Sequence, residues 1–93
     1  MIYELDKYEG SKFCVVLVKV PEEEVDKPNP QFQVRCLHGR ANVEQGVKLT
    51  LEYDEGQFVV PRSCYNRIMP SDGTEMLEDA EYFVMCKVQG MDL

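Results

Sequence analysis

The four cysteines and the single histidine are the side chains best suited to chemistry in this chain of 93 residues. Sulfur and imidazole nitrogen are typical ligands of structural zinc. Cys36 and His38 alternate along one predicted strand and so share a face, and Cys64 is the third candidate ligand. Successive cysteines are 22, 28 and 22 residues apart, without a Cys-x2-Cys pair. We therefore expect buried thiols with no metal and no other cofactor. The alternative is a metal- or redox-linked protein that uses Cys36, His38 and a further thiol.

Cys64 is also the candidate for a nucleophile. It follows Pro61 at the start of a predicted helix, where Arg62 and Arg67 would favour the thiolate over the thiol. The only imidazole base is His38, and no spacing rule brings it to Cys64. A packed cysteine in a short helix is the commoner arrangement, so we expect no catalytic residue, and a small thiol enzyme is the weaker alternative. The chain also lacks a phosphate-binding glycine loop, a Gly-x-Ser-x-Gly elbow and a His-Glu-x-x-His pair.

The charge balance argues against nucleic acid as a partner. Ten Lys and Arg stand against 17 Asp and Glu, which gives a net charge of −7, whereas nucleic-acid binding needs a clustered basic face. The longest apolar run, Phe13 to Val18, is far shorter than the ~20 residues of a membrane span, so we expect no membrane association. The first residues lack the basic start and apolar stretch of a secretory signal. We therefore expect a cytoplasmic protein with reduced cysteines.

The length and the hydrophobic pattern predict the fold. A chain of this size supports one core, so residues 1–93 are expected to form a single small β-rich domain. Polar and apolar residues alternate with a period of two in several short runs, which is typical of strands. The pattern predicts a mainly β fold, a small antiparallel barrel-like or curled sheet of five or six strands with one short helix, and α+β is the alternative. The predicted strands are residues 2–8, 12–20, 32–37, 47–54, 57–60 and 80–88, and the helix lies within residues 61–70.

Burial is predicted most clearly in three of these strands. Residues 12–20 and 80–88 are apolar on both faces, so we expect both strands to be central and to pair with each other. Residues 47–54 alternate cleanly. Their predicted core side is Val47, Leu49, Leu51 and Tyr53, and their predicted solvent side is Lys48, Thr50, Glu52 and Asp54.

The connections between the strands are predicted from glycines, prolines and charge. Gly10 and Gly56 mark the turns of two hairpins, and residues 41–46 are expected to be a polar connection. Residues 21–30 contain three prolines and four carboxylates, which predicts an exposed acidic loop.

Without a catalytic motif, the sequence favours a non-catalytic interaction or accessory module. Five tyrosines and the acid-rich segments suit a surface that meets another protein. We expect the chain to offer a strand edge or an acidic surface to another protein, or to a second copy of itself in a homodimer.

Overall fold

The computed structural model describes residues 4–19, 26–29, 31–71 and 80–88, and in these the fold is mainly β, as predicted. The strands are β1 (Lys12–Lys19), β2 (Gln33–Glu44), β3 (Lys48–Tyr53), β4 (Gly56–Val59), β5 (Met69–Pro70) and β6 (Tyr82–Lys87). Two short 3-10 helices, η1 (Asp6–Tyr8) and η2 (Arg62–Arg67), accompany them. None of the described helical segments has the length and apolar character needed to cross a bilayer.

All six strands form one open sheet in the order β4-β3-β2-β1-β6-β5. The predicted pairing of residues 12–20 with residues 80–88 is confirmed, since β1 lies between β2 and β6. The relative direction of these two strands differs from the prediction, because β1 and β6 run parallel. The sheet is therefore mixed rather than antiparallel, and it does not close into a barrel. Hydrophobic alternation predicts which strands are buried, but it contains no information about the direction in which two strands run.

Within the described residues, helical segments cover one face of the sheet and not the other. The covered face carries Phe13, Val15 and Leu17 of β1, and η1 and η2 pack on it to form the main core. The opposite, open face carries Cys14, Val16 and Val18, which form a smaller apolar cluster with Cys36, Ala80 and Phe83. Because β1 is buried on both faces over Phe13–Leu17, the prediction of a central strand is confirmed.

The first predicted strand, residues 2–8, is wrong in its described part. Residues 1–3 lie outside the described residues, and Asp6–Tyr8 form a 3-10 helix instead. Leu5 and Tyr8 are both buried, and their spacing of three residues matches one turn of a 3-10 helix rather than the period of a strand. The Tyr8 ring makes edge contacts with Phe13 and Tyr82, so η1 closes one end of the core.

Strand β2 is longer than predicted, because residues 41–44 continue the strand and only residues 45–47 turn. Gly39 was the misleading signal. A side chain at Gly39 would place its Cβ 1.9 Å from the Glu52 carbonyl oxygen on β3, so this glycine permits close strand contact rather than ending a strand. Ala41, two residues later, is buried on the covered face.

The alternation predicted for residues 47–54 is confirmed at Leu49, Leu51 and Glu52 but wrong at two positions. Val47 is 69% exposed, because it lies in the turn before β3. Thr50 is only 3% exposed, although it lies on the open face between its strand neighbours Asn42 and Val59. The acidic loop predicted for residues 21–30 lies mostly outside the described residues, and Asp26–Asn29 are exposed.

Candidate functional site

The structure divides the three candidate metal ligands between the two faces of the sheet. Cys36 and His38 lie on the open face, whereas Cys64 belongs to η2 and packs in the core of the covered face. The cysteine directly opposite His38 is Cys14 of β1, which depends on strand register and so was beyond sequence reasoning. Within residues 4–19, 26–29, 31–71 and 80–88, no group of three or more His, Cys, Asp or Glu side chains is arranged to hold a metal.

The neighbour of Cys64 is Cys86, and not the histidine base that a nucleophilic cysteine requires. All four cysteines are thiols, and Cys64 lies beside Cys86 in the core. Burial raises the pKa of the Cys86 thiol from 9.0 to about 12, and a hydrogen bond with the Cys64 side chain acts in the same direction. His38 lies across the sheet from this pair. The geometry therefore separates Cys64 from the only imidazole of the chain, which a cysteine–histidine nucleophile would need.

A concavity lies at the start of β1. Its volume is about 220 Å³, and its lining residues are Lys12, Phe13, His38, Gly39, Arg40 and Ala80. Its polar side chains are already engaged. Arg40 Nη1 donates a hydrogen bond to the Gly10 carbonyl oxygen at 2.8 Å, and Lys12 and His38 each have an interaction partner within the chain. This concavity is therefore part of the polar structure that holds β1 against β2.

Exposed apolar side chains mark the open face as a surface that can contact another molecule. Val34, Val59, Met69 and Met85 are each more than half exposed, and all four point to this face. They are spread over β2, β4, β5 and β6. Val59 lies at the β4 end of the sheet and Met69 at the β5 end.

β4 is an exposed edge with unpaired backbone groups. The Val60 N–H donates to the Leu49 carbonyl oxygen at 3.0 Å, and Phe58 lies opposite Leu51. Because backbone groups alternate in direction along a strand, those of Gln57 and Val59 point away from β3 and out of the sheet. Among the described strands, none lies beyond β4.

The sequence of β4 lacks the features that usually protect a sheet edge. Residues 56–60 contain no charged residue and no proline, and Gln57 and Val59 are exposed. The strand at the other end, β5, is only two residues long and ends in Pro70. Charged residues, proline and very short strands are the usual means of preventing edge-to-edge association. By these criteria β4 is the accessible edge of the sheet.

Two side-chain contacts fix the ends of β4. At its start, Arg35 Nη2 and Glu55 Oε2 form an ion pair at 2.6 Å, which ties the turn between β3 and β4 to β2. At its end, the buried Leu49 N–H donates to the Tyr65 hydroxyl oxygen at 3.0 Å, which ties η2 to β3. Sequence reasoning missed Arg35, Glu55 and Tyr65. The partners Arg35 and Glu55, like Leu49 and Tyr65, are distant along the chain. Each end of β4 therefore lies beside one of these two contacts.

Comparison with protein-family models, curated proteins and solved structures finds no match to this chain.

Proposed function

We propose that this protein is a non-catalytic interaction module that binds an extended segment of another protein, or of a second copy of itself, along β4. The observation that carries the proposal is the outward direction of the Gln57 and Val59 backbone groups on an exposed strand without charge or proline. A strand added to such an edge gains main-chain hydrogen bonds for affinity, and its alternate side chains provide specificity.

The rigid surroundings of β4 support this function. The Arg35–Glu55 ion pair and the Tyr65–Leu49 hydrogen bond hold both ends of the strand. A strand that is already extended loses less conformational entropy on binding than a flexible segment would. The binding free energy is then limited mainly by the ordering of the partner.

Side chains beside the edge define the chemistry of the partner segment. Val59 and Gln57 lie on the open face, and the half-buried Phe58 ring lies on the covered face. We propose that the bound segment has an apolar residue next to Phe58 and no charge at its centre. We also place the protein in the cytoplasm, where reducing conditions preserve its thiols.

Site-specific photo-cross-linking in cells that naturally make the protein tests this proposal. A photoreactive phenylalanine analogue replaces Gln57 in one variant and Glu52 in the control, because both positions are exposed on the open face but only Gln57 is at the edge. We expect covalent adducts from position 57 and few from position 52, and mass spectrometry then identifies the captured segment.

Hydrogen exchange completes the test with the captured partner in purified form. We expect its addition to slow exchange of the Gln57 and Val59 amides at least tenfold, since both amides become donors in the added strand. Equal adducts from the two positions, no adduct from position 57, or unchanged exchange at both amides would each contradict the proposal.

A further inference from the structure

We infer that the strand that pairs with β4 is β4 of a second copy of this chain, related to the first by a two-fold axis through Phe58. This inference rests on the proposed function and names its partner. The two sheets would join edge to edge into one continuous sheet with antiparallel β4 strands at its centre.

The direction of the backbone groups restricts how two β4 strands can pair. Only residues whose N–H and C=O point outward can bond across the new junction, and on β4 these are Gln57 and Val59. An antiparallel arrangement centred on Phe58 places Gln57 of each copy opposite Val59 of the other. Every outward N–H and C=O of the two residues then has a partner.

Phe58 occupies the position at which an aromatic contact is most favourable. Residues between two hydrogen-bonded pairs approach most closely in antiparallel strands, with Cα atoms about 4.5 Å apart. The Phe58 side chain is only half-buried and packs at the margin of the main core. In the dimer its ring meets the same ring of the second copy, which extends the core across the junction.

Opposite charges flank Phe58 at equal distances along the chain. Asp54 lies four residues before Phe58 and Arg62 four residues after it, and both are exposed. Neither side chain has an ion pair or hydrogen bond within the part of the chain that the structure describes. The register centred on Phe58 brings the β3–β4 turn with Asp54 of each copy toward the start of η2 with Arg62 of the other. A shift that sets Gln57 or Val59 opposite itself moves these charges apart.

Local neutrality at the edge explains how a chain of net charge −7 can associate with itself. The Glu55 carboxylate is offset by Arg35, and Asp54 by Arg62 of the second copy. The acidic excess therefore lies elsewhere in the chain. Because the junction is small, we expect a reversible dimer with a dissociation constant on the order of micromolar.

Sedimentation velocity between about 10 µM and 1 mM tests the dimer with three proteins. The wild type should shift from monomer to dimer with concentration. Val59→Pro removes an outward N–H without removing a hydrogen bond to β3, so it should raise the dissociation constant at least tenfold. The control Val47→Lys removes an exposed apolar side chain from the turn before β3 and should leave the constant unchanged. Thermal unfolding confirms that each variant is folded.

Charge reversal tests the register independently of any effect of proline. Asp54→Arg and Arg62→Asp should each weaken the dimer roughly tenfold, because each places like charges together twice across the two-fold axis. The double variant Asp54→Arg, Arg62→Asp restores opposite charges and should recover most of the loss. A double variant as weak as the single ones would overturn the register.

The outcomes separate this inference from the proposed function. A wild type that stays monomeric at about 1 mM, or a dimer that Val59→Pro leaves intact, overturns the inference. If position 57 nevertheless cross-links to a different protein, the interaction function of β4 stands with another partner. If position 57 captures nothing and no dimer forms, both proposals fail.

Discussion

At the scale of single residues, the buried thiol of Cys86 makes the stability of the fold sensitive to alkaline pH. Its pKa is raised from 9.0 to about 12 in the folded protein, chiefly by burial. Between these values the unfolded chain loses the proton while the folded protein keeps it, so the free energy of unfolding falls as pH rises above 9.

We expect Cys86→Ala to remove this part of the pH dependence. Urea unfolding at pH 8, 9 and 10 under reducing conditions should show that wild-type stability falls with pH more steeply than that of the variant, by up to about 1 kcal/mol per pH unit. Tyr and Lys side chains titrate in both proteins, so the difference between the two slopes is the informative quantity. Parallel slopes would show that Cys86 ionises as readily in the folded protein as in the unfolded chain.

Thr50 has a polar side-chain atom that is buried without a hydrogen-bond partner among the described residues. Its hydroxyl oxygen is inaccessible and has no hydrogen bond among the described residues. Valine has nearly the same shape, suits a strand and has no hydroxyl group, so Thr50→Val should raise the free energy of unfolding by about 1 kcal/mol. Thr50→Ser keeps the hydroxyl and loses the methyl group, and it should lower stability. Chemical denaturation measures both changes, and a destabilised Thr50→Val variant would indicate that the hydroxyl does have a partner.

At the scale of elements, η2 matters because it holds the start of β3, which lies beside the end of β4. The buried Leu49 N–H has no carbonyl partner beyond the end of β4, and the Tyr65 hydroxyl oxygen accepts its hydrogen bond instead. Tyr65→Phe leaves this N–H buried and unpaired, so we expect a loss of about 2 kcal/mol in the free energy of unfolding. Urea unfolding measures the loss. Tyr53→Phe is the matched control, because Tyr53 is only partly buried, and a similar loss there would argue against a special role for Tyr65.

The elements differ in how far the sequence could predict them, and the reasons are physical. β3 was predictable because Leu49 and Leu51 follow the strand period, and β1 because its apolar residues, such as Val15 and Val16, occupy both faces as in a central strand. η1 was not, since its two core residues, Leu5 and Tyr8, are too few to show a period. The extension of β2 past Gly39 depends on contact with the Glu52 carbonyl group of another strand, which local sequence does not encode.

For the candidate site, the sequence allowed a prediction of the type of surface but not of the strand that forms it. The absence of catalytic motifs and the strand pattern led to the prediction of a strand edge or an acidic surface as a binding surface. The identity of that edge depends on the order of the strands, which arises from pairing between distant segments. Likewise, Cys36 and His38 were correctly placed on one face by their spacing, whereas the position of Cys64 across the sheet depends on where η2 packs.

At the scale of the whole molecule, β1 is the strand that joins the two halves of the sheet. β1 contacts β2 on one side and β6 on the other, and its side chains contribute to the clusters on both faces. β2, β3 and β4 follow one another as hairpins on one side of β1, and β5 and β6 lie on the other. Removal of β1 would therefore separate the sheet into two parts that lack a shared core.

The parallel contact between β1 and β6 also has a consequence for synthesis on the ribosome. Phe13 pairs with Tyr82, which is 69 residues later in the chain. A nascent chain that has emerged only through β4 can form hairpins, but one flank of β1 still lacks its neighbour. Such a chain exposes backbone groups and apolar side chains to solvent until Lys87 has left the exit tunnel. The sheet is therefore completed only after β6 has been synthesised, and the interval before that is when chaperones matter most.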